Sequence, residues 1–244
     1  MAQLGNLSMQ GVTVTPKFLF GVNGQINNCL HMIDEKKLLY VAGHNAIVYN
    51  IDDPTNMQFV PGSENTECIN YIAVSAGAPS SRFLAMCERG RKDVGKAQVT
   101  IFDNLRKKRT IPDPEAEVDL NINALEFLSA AFSPKNEKEH LITLSGEPDW
   151  EIILWKWDTF KLLARISLQV VTPEPDPLTF SCSIQNVATE LMIVVTGTQT
   201  YRYMKVGQDL HSISLLQQEL FAQSLDGHEV SKDYTCHVWT KDTM

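Results

Sequence analysis

The chain has 244 residues, of which 43% are hydrophobic and 20% charged, with a formal net charge of −8. This is ordinary globular material with enough apolar residues for a sizeable core. The acidic balance excludes a general nucleic-acid binder, whose footprint is a basic face and a high pI.

Four ring residues, Tyr49, Phe102, Trp155 and Tyr203, recur at intervals of 53, 53 and 48 residues, each in a short strand-like run. Repetition at this scale marks a propeller, solenoid or array, and short strands in place of helices favour a β-propeller. A first N-terminal segment covers 1–17. The first unit, 18–63, reads as strands at 29–33, 37–42, 46–51 and 57–60, punctuated by the turn formers Asp34-Glu35, Gly43-His44 and Asp52-Asp53-Pro54. The second, 69–113, has strands at 69–75, 82–88, 98–103 and 107–111. The third, 121–168, has them at 124–132, 139–145, 150–157 and 162–168. The fourth, 178–217, reads as 179–184, 191–197, 200–206 and 210–216. A further blade starts within 227–244, with a strand at 233–240. Proline- and acid-rich stretches such as Pro173-Glu174-Pro175-Asp176-Pro177 hand one unit to the next. Only 214–222 has helical spacing, and its first part reads as strand.

The five cysteines (Cys29, Cys68, Cys87, Cys182, Cys236) include no C-x-x-C pair, and their odd number reads as reduced thiols of a cytosolic protein. Residues 1–10 lack the basic stretch and apolar core of a signal peptide. The longest apolar runs fall far short of the roughly 20 residues that a membrane span needs. A soluble intracellular chain is expected, with no membrane partner.

The strand ends Ile101-Phe102-Asp103 and Leu154-Trp155-Lys156-Trp157-Asp158, with Gly227-His228 ahead of Val238-Trp239, resemble degenerate WD repeats. Gly43-His44 stands at the wrong place in its unit and reads as coincidence. More particular stretches are Asn45-Ala46-Ile47-Val48-Tyr49-Asn50, Arg82-Phe83-Leu84-Ala85-Met86-Cys87-Glu88, Leu144-Ser145-Gly146-Glu147-Pro148-Asp149-Trp150 and Tyr234-Thr235-Cys236-His237-Val238-Trp239. Together they resemble the N-terminal propeller of the ciliary WD-repeat family of cilia- and flagella-associated protein 57, over roughly 18–240. The resemblance implies a WD40-type β-propeller in a non-enzymatic scaffold of the ciliary or flagellar axoneme. Its partners would be inner dynein arm or doublet-microtubule components, and its work the support of ciliary motility. A cytosolic WD-repeat adaptor in a ubiquitin-ligase or trafficking complex is the alternative.

Seven blades of about 45 residues need roughly 315 residues, so four blades and one strand read as an incomplete ring, a truncated form of a longer protein. Exposed blade faces would then invite self-association. A closed four-bladed ring is the other possibility.

No chemistry stands out. Asp209, His211, Ser212 and Ser214 have the residue types of a hydrolase triad without a G-x-S-x-G elbow. The six histidines lack zinc-ligand spacing, and Glu147, Asp149 and Glu151 lack a calcium loop. No catalytic, cofactor-binding or metal residue is assigned. Two basic clusters remain, Arg106-Lys107-Lys108-Arg109 and Arg91-Lys92 with Arg89 and Lys96. They read as a docking patch for an acidic partner, tubulin's acidic surface under the resemblance, or as a solvated strand that protects a sheet edge.

Overall fold

A computed structural model describes residues 8–9, 12–13, 19, 21–76, 82–93, 95–113, 115, 120–170, 175–217 and 233–240. Strands β1 (Ser8–Met9) and β2 (Val12–Thr13) pair as a small hairpin. The rest form four antiparallel sheets in which each strand lies beside its neighbours in sequence. Blade 1 is β3 (Leu30–Met32), β4 (Lys37–Ala42), β5 (Asn45–Asn50) and β6 (Met57–Pro61). Blade 2 is β7 (Thr66–Val74), β8 (Phe83–Gly90), β9 (Gln98–Asp103) and β10 (Arg106–Ile111). Blade 3 is β11 (Phe127–Phe132), β12 (His140–Ser145), β13 (Glu151–Lys156) and β14 (Lys161–Ser167). Blade 4 is β15 (Ser181–Val187), β16 (Glu190–Gly197), β17 (Thr200–Val206) and β18 (Ile213–Gln217).

The first strands of successive blades meet, β7 against β11 and β11 against β15, which is the arrangement of a β-propeller. The middle strands are apolar on both faces because a blade is covered on both sides. Side-chain alternation then divides each strand between two interfaces. On β8, Leu84 and Met86 join Leu39, Val41 and Val48 of blade 1, whereas Phe83, Ala85 and Cys87 face blade 3. On β13, Ile153 and Trp155 face blade 2 and Ile152 and Leu154 face blade 4, where they meet Phe180, Ile193 and Met204. Tyr49, Phe102, Trp155 and Tyr203 all lie on the third strand of their sheets.

Several edges differ from the sequence reading. The strand expected over 150–157 stops at Lys156, and Trp157 opens a single 3-10 turn, Trp157–Thr159. The reason is its indole, which donates to the Glu137 carbonyl at 3.0 Å and packs edge-on against Phe83 at 5.5 Å, so the residue is core all the same. The strand expected from 124 begins at Phe127, because Asn123 and Ala124 instead donate their backbone N–H groups to Asp149. The strand expected from 210 begins at Ile213, after a turn in which Leu210 N–H meets the Gly207 carbonyl.

The strand expected at 233–240 does not form: these residues pair in no sheet, because they meet blade 4 through side chains, His237 and Trp239 bonding to Ser183, and through the Tyr234 N–H. Tyr234 donates its N–H to the Gly197 carbonyl at 3.2 Å, and its ring is 6.0 Å from that of Tyr201. Trp239 lies 6.3 Å from Tyr203 and donates its indole N–H to Ser183 at 2.8 Å. The Gly227-His228 pair, and the part of 214–222 beyond Gln217, lie outside the described residues.

The loop after β8 folds back so closely that it needs glycine. A Cβ on Gly95 would sit 2.2 Å from the Arg91 nitrogen and 2.5 Å from the Asn65 carbonyl oxygen, and backbone atoms cannot swing aside. Gly95→Ala is therefore expected to cost about 1–3 kcal/mol, as overpacking does. Chemical unfolding followed by far-UV circular dichroism would measure it, and an unchanged midpoint would refute the contact.

Candidate interaction surfaces

The basic residues singled out in the sequence do not form one patch. β9 and β10 are joined by Asn104 and Leu105, both with left-handed φ (47° and 63°), the two-residue hairpin geometry that matches strand twist. Arg106 stands opposite Asp103 and Ile111 opposite Val99, so Arg106, Lys107 and Lys108 emerge together, exposed, at the hairpin end of blade 2. Arg91 and Lys92 follow Gly90 at the other end, about 20 Å away for a strand of this length. Arg91 has a neighbour in Asp93 at 3.8 Å. Arg109 leaves the group for a different reason. Its guanidinium lies 4.7 Å over the Phe160 ring of blade 3, so it joins two blades.

At the hairpin end, Arg82 grips both carboxylate oxygens of Asp103 at 2.6 Å. That bidentate bond, reinforced by the nearby charges of Lys108 and Lys138, holds the Asp103 carboxyl below its usual range. Lys138 belongs to the loop before β12, so one carboxylate feels cations from two blades.

Sequence reading missed Glu88, which is fully buried near the end of an apolar strand. It accepts from Ser63 N–H at 2.7 Å, the Thr66 and Thr100 hydroxyls at 2.8 Å and the Gln98 amide at 3.1 Å. His44 Nε2 lies 3.5 Å from it and 2.9 Å from Thr66 Oγ1. Burial alone pushes this carboxyl upward, but bonds from His44, Ser63, Gln98 and Thr66 outweigh it and leave the group below its usual value. Gly43-His44, in the turn between β4 and β5, nonetheless has a structural task. The pair places an imidazole of blade 1 on the buried acid of blade 2, and Gly62 leaves room for the ring, since a Cβ there would sit 2.2 Å from it.

A recess of about 320 Å³ lies where blade 1, blade 2, blade 4 and residues 235–237 converge, lined by Asn28, Tyr71, Ser181, Ser183, Cys236 and His237. Asn28 donates to the Tyr71 hydroxyl at 2.9 Å, and burial pushes that phenol up to about 12. His237 is held by the hydroxyls of Ser183 at 2.5 Å and Thr196 at 2.8 Å. These bonds anchor residues 233–240 on blade 4. Burial likewise raises the thiols of Cys68, Cys87 and Cys182, which keeps them protonated and inert.

The other polar motifs also have structural partners. Asp209 accepts from the backbone N–H of His211 at 3.0 Å, and the His211 ring faces the Leu163 carbonyl. Asp149 accepts from the Asn123 and Ala124 N–H groups at 2.6 and 3.0 Å. Among the described residues, no three histidine, cysteine or acidic side chains gather as metal ligands. Among them, no helix is long and apolar enough to cross a membrane.

No family model matches the chain. Among curated proteins, it is similar to cilia- and flagella-associated protein 57 of Mus musculus, 23% identical over 239 residues and 96% of this chain. It is also similar to cilia- and flagella-associated protein 57 C of Tetrahymena thermophila, 29% identical over 160 residues and 62% of this chain. The matched stretches span 17% and 11% of those relatives' lengths. A solved structure described as "KlHsv2 with loop 6CD replaced by a Gly-Ser linker" aligns over 80% of this chain and 72% of its own, with a TM-score of 0.44 and 12% identity.

Proposed function

We propose that this chain is a non-enzymatic WD-repeat scaffold of the ciliary or flagellar axoneme, supporting inner dynein arm placement and ciliary motility through protein–protein contacts. The observation that carries this reading is the similarity to cilia- and flagella-associated protein 57, which runs along 96% of the chain and so through all four blades. The chemistry supports it. The polar groups that resembled catalytic or metal-binding sets are engaged in turns, caps and blade-to-blade bonds, which build a rigid platform. Affinity on such a platform comes from a few exposed anchors. Arg106, Lys107 and Lys108, projected by a tight hairpin from a rigid sheet, are the proposed contact with an axonemal partner.

The test is retention. A tagged chain is expressed in a ciliated cell, the membrane is stripped with detergent, and the axoneme is assayed. The expected result is that the chain stays with the axoneme. A stable chain that enters cilia yet washes out would refute a docking surface within these blades. A chain that never enters cilia would refute the ciliary reading.

A further inference from the structure

The basic cluster on β10 does not end at the edge of its own blade. The hairpin that carries it abuts the third blade, where Arg109 stacks on Phe160 in the turn that precedes Lys161. Lys138, in the loop before β12, acts on the same Asp103 carboxylate as Lys108 does. Lys135 precedes it in that loop and is exposed, as are Lys138 and Lys161. One end of blades 2 and 3 therefore gathers six exposed cations, Arg106, Lys107, Lys108, Lys135, Lys138 and Lys161.

Three acids at this end have partners of their own. Asp103 is clamped by Arg82, and Glu139 lies 3.5 Å from Lys156. Glu137 accepts from Ala76 N–H at 2.7 Å, whereas Asp158 keeps one buried oxygen without a hydrogen-bond partner. Among the described residues none of the six cations has an acid at ion-pair distance. At the opposite end of the same blades, Arg91 lies 3.8 Å from Asp93, and Glu126 and Asp149 accept from Asn70 and from Asn123 N–H. The two blades are thus polar in charge, within a chain whose net charge is −8.

We propose that this end of blades 2 and 3 is a continuous docking surface for an acidic polypeptide segment, rich in glutamate or aspartate, which lies across the boundary between the blades. It deepens the partner contact assigned above to Arg106, Lys107 and Lys108, and rests on that assignment. An extended peptide fits better than a single anion, because the cations are spread over two blades and do not converge on a pocket. Attraction between exposed charges of this kind steers encounter and fades as salt shortens the screening length.

The experiment is fluorescence anisotropy with the 244-residue chain and a labelled glutamate-only peptide, at low and high salt. Binding at low salt that weakens with added salt is expected. Lys138→Glu alone, on blade 3, is expected to weaken binding severalfold, and Lys108→Glu with Lys138→Glu by about tenfold or more, since reversal replaces attraction with repulsion. Arg91→Glu with Lys92→Glu is expected to leave binding unchanged. Circular dichroism melts of each variant should match the parent, as these side chains are exposed. No effect of Lys138→Glu would confine the contact to blade 2 and overturn the proposal. So would equal loss in the Arg91/Lys92 variant, or tighter binding of a single-stranded oligonucleotide of equal charge. The measurement is made in solution, so its failure leaves the axoneme-retention result standing, and loss of retention leaves a positive peptide result standing.

Discussion

Glu88→Ala is expected to destabilise the fold by about 3–5 kcal/mol, the cost of leaving buried partners without their charge. Removal of the carboxylate strands Ser63 N–H, two threonine hydroxyls, the Gln98 amide and the His44 imidazole around a fully buried position. Glu88→Gln keeps the shape but points an N–H group at donors, so about 1–3 kcal/mol is expected to be lost. Urea unfolding by circular dichroism would rank them, and a loss below that of an ordinary surface change in both would refute the network. The same residue has a pH signature. Its folded value lies below the ordinary 4.5, so its contribution is complete above that pH and is lost as pH falls through the folded value. Burial also lowers His31, His140 and His237 below 6.5, so the folded state resists protons that the unfolded chain accepts. Stability should therefore fall as pH drops below 6.5, and fall again below 4.5. In Glu88→Gln the second decline should shrink while the first persists, a contrast that a series of melting temperatures from about pH 8 to about pH 3 would display.

The periodic part of the fold was legible because it is written in alternation and turn residues. The strands at 37–42, 98–103 and 200–206 match β4, β9 and β17, the first of them lying between the turn formers Asp34-Glu35 and Gly43-His44. Trp157 was misplaced as strand because its bond partner, the Glu137 carbonyl, lies 20 residues back and leaves no local trace. Glu88 was invisible for a similar reason. A lone acid closing an apolar strand reads as a turn charge, and only the folded chain brings Ser63, Thr66, Gln98 and Thr100 around it. The basic clusters show the converse failure. Arg91 and Lys107 were read as members of one blade, which they are, but the strand direction of β9 separates them by its full length. The contribution of Lys138 could not be read at all, since it depends on how blade 3 stacks beside the β10 hairpin.

Trp155→Ala is expected to cost about 3–5 kcal/mol, in the range for deletion of a fully buried ring. Trp155 is 0% exposed at the interface between blades 2 and 3, and its indole donates to Thr143 at 2.9 Å. Against a typical total of about 5–15 kcal/mol, this loss would leave a visible unfolded fraction at 25 °C. Trp155→Phe separates the two contributions, because it keeps most of the apolar volume and deprives Thr143 of its donor. A loss of about 1–3 kcal/mol is expected for it. Among the described residues, separate apolar clusters join blade 1 to 2, blade 2 to 3 and blade 3 to 4, so damage at one of these interfaces should spread little to the next. Phe180→Ala lies at the other interface of blade 3, where its ring packs 4.8 Å from Trp150. The double variant Trp155→Ala with Phe180→Ala should therefore be additive to within about 0.5 kcal/mol. Strong non-additivity in urea unfolding would show that blade 3 transmits strain between its faces, and would overturn the picture of blades held together by independent interfaces.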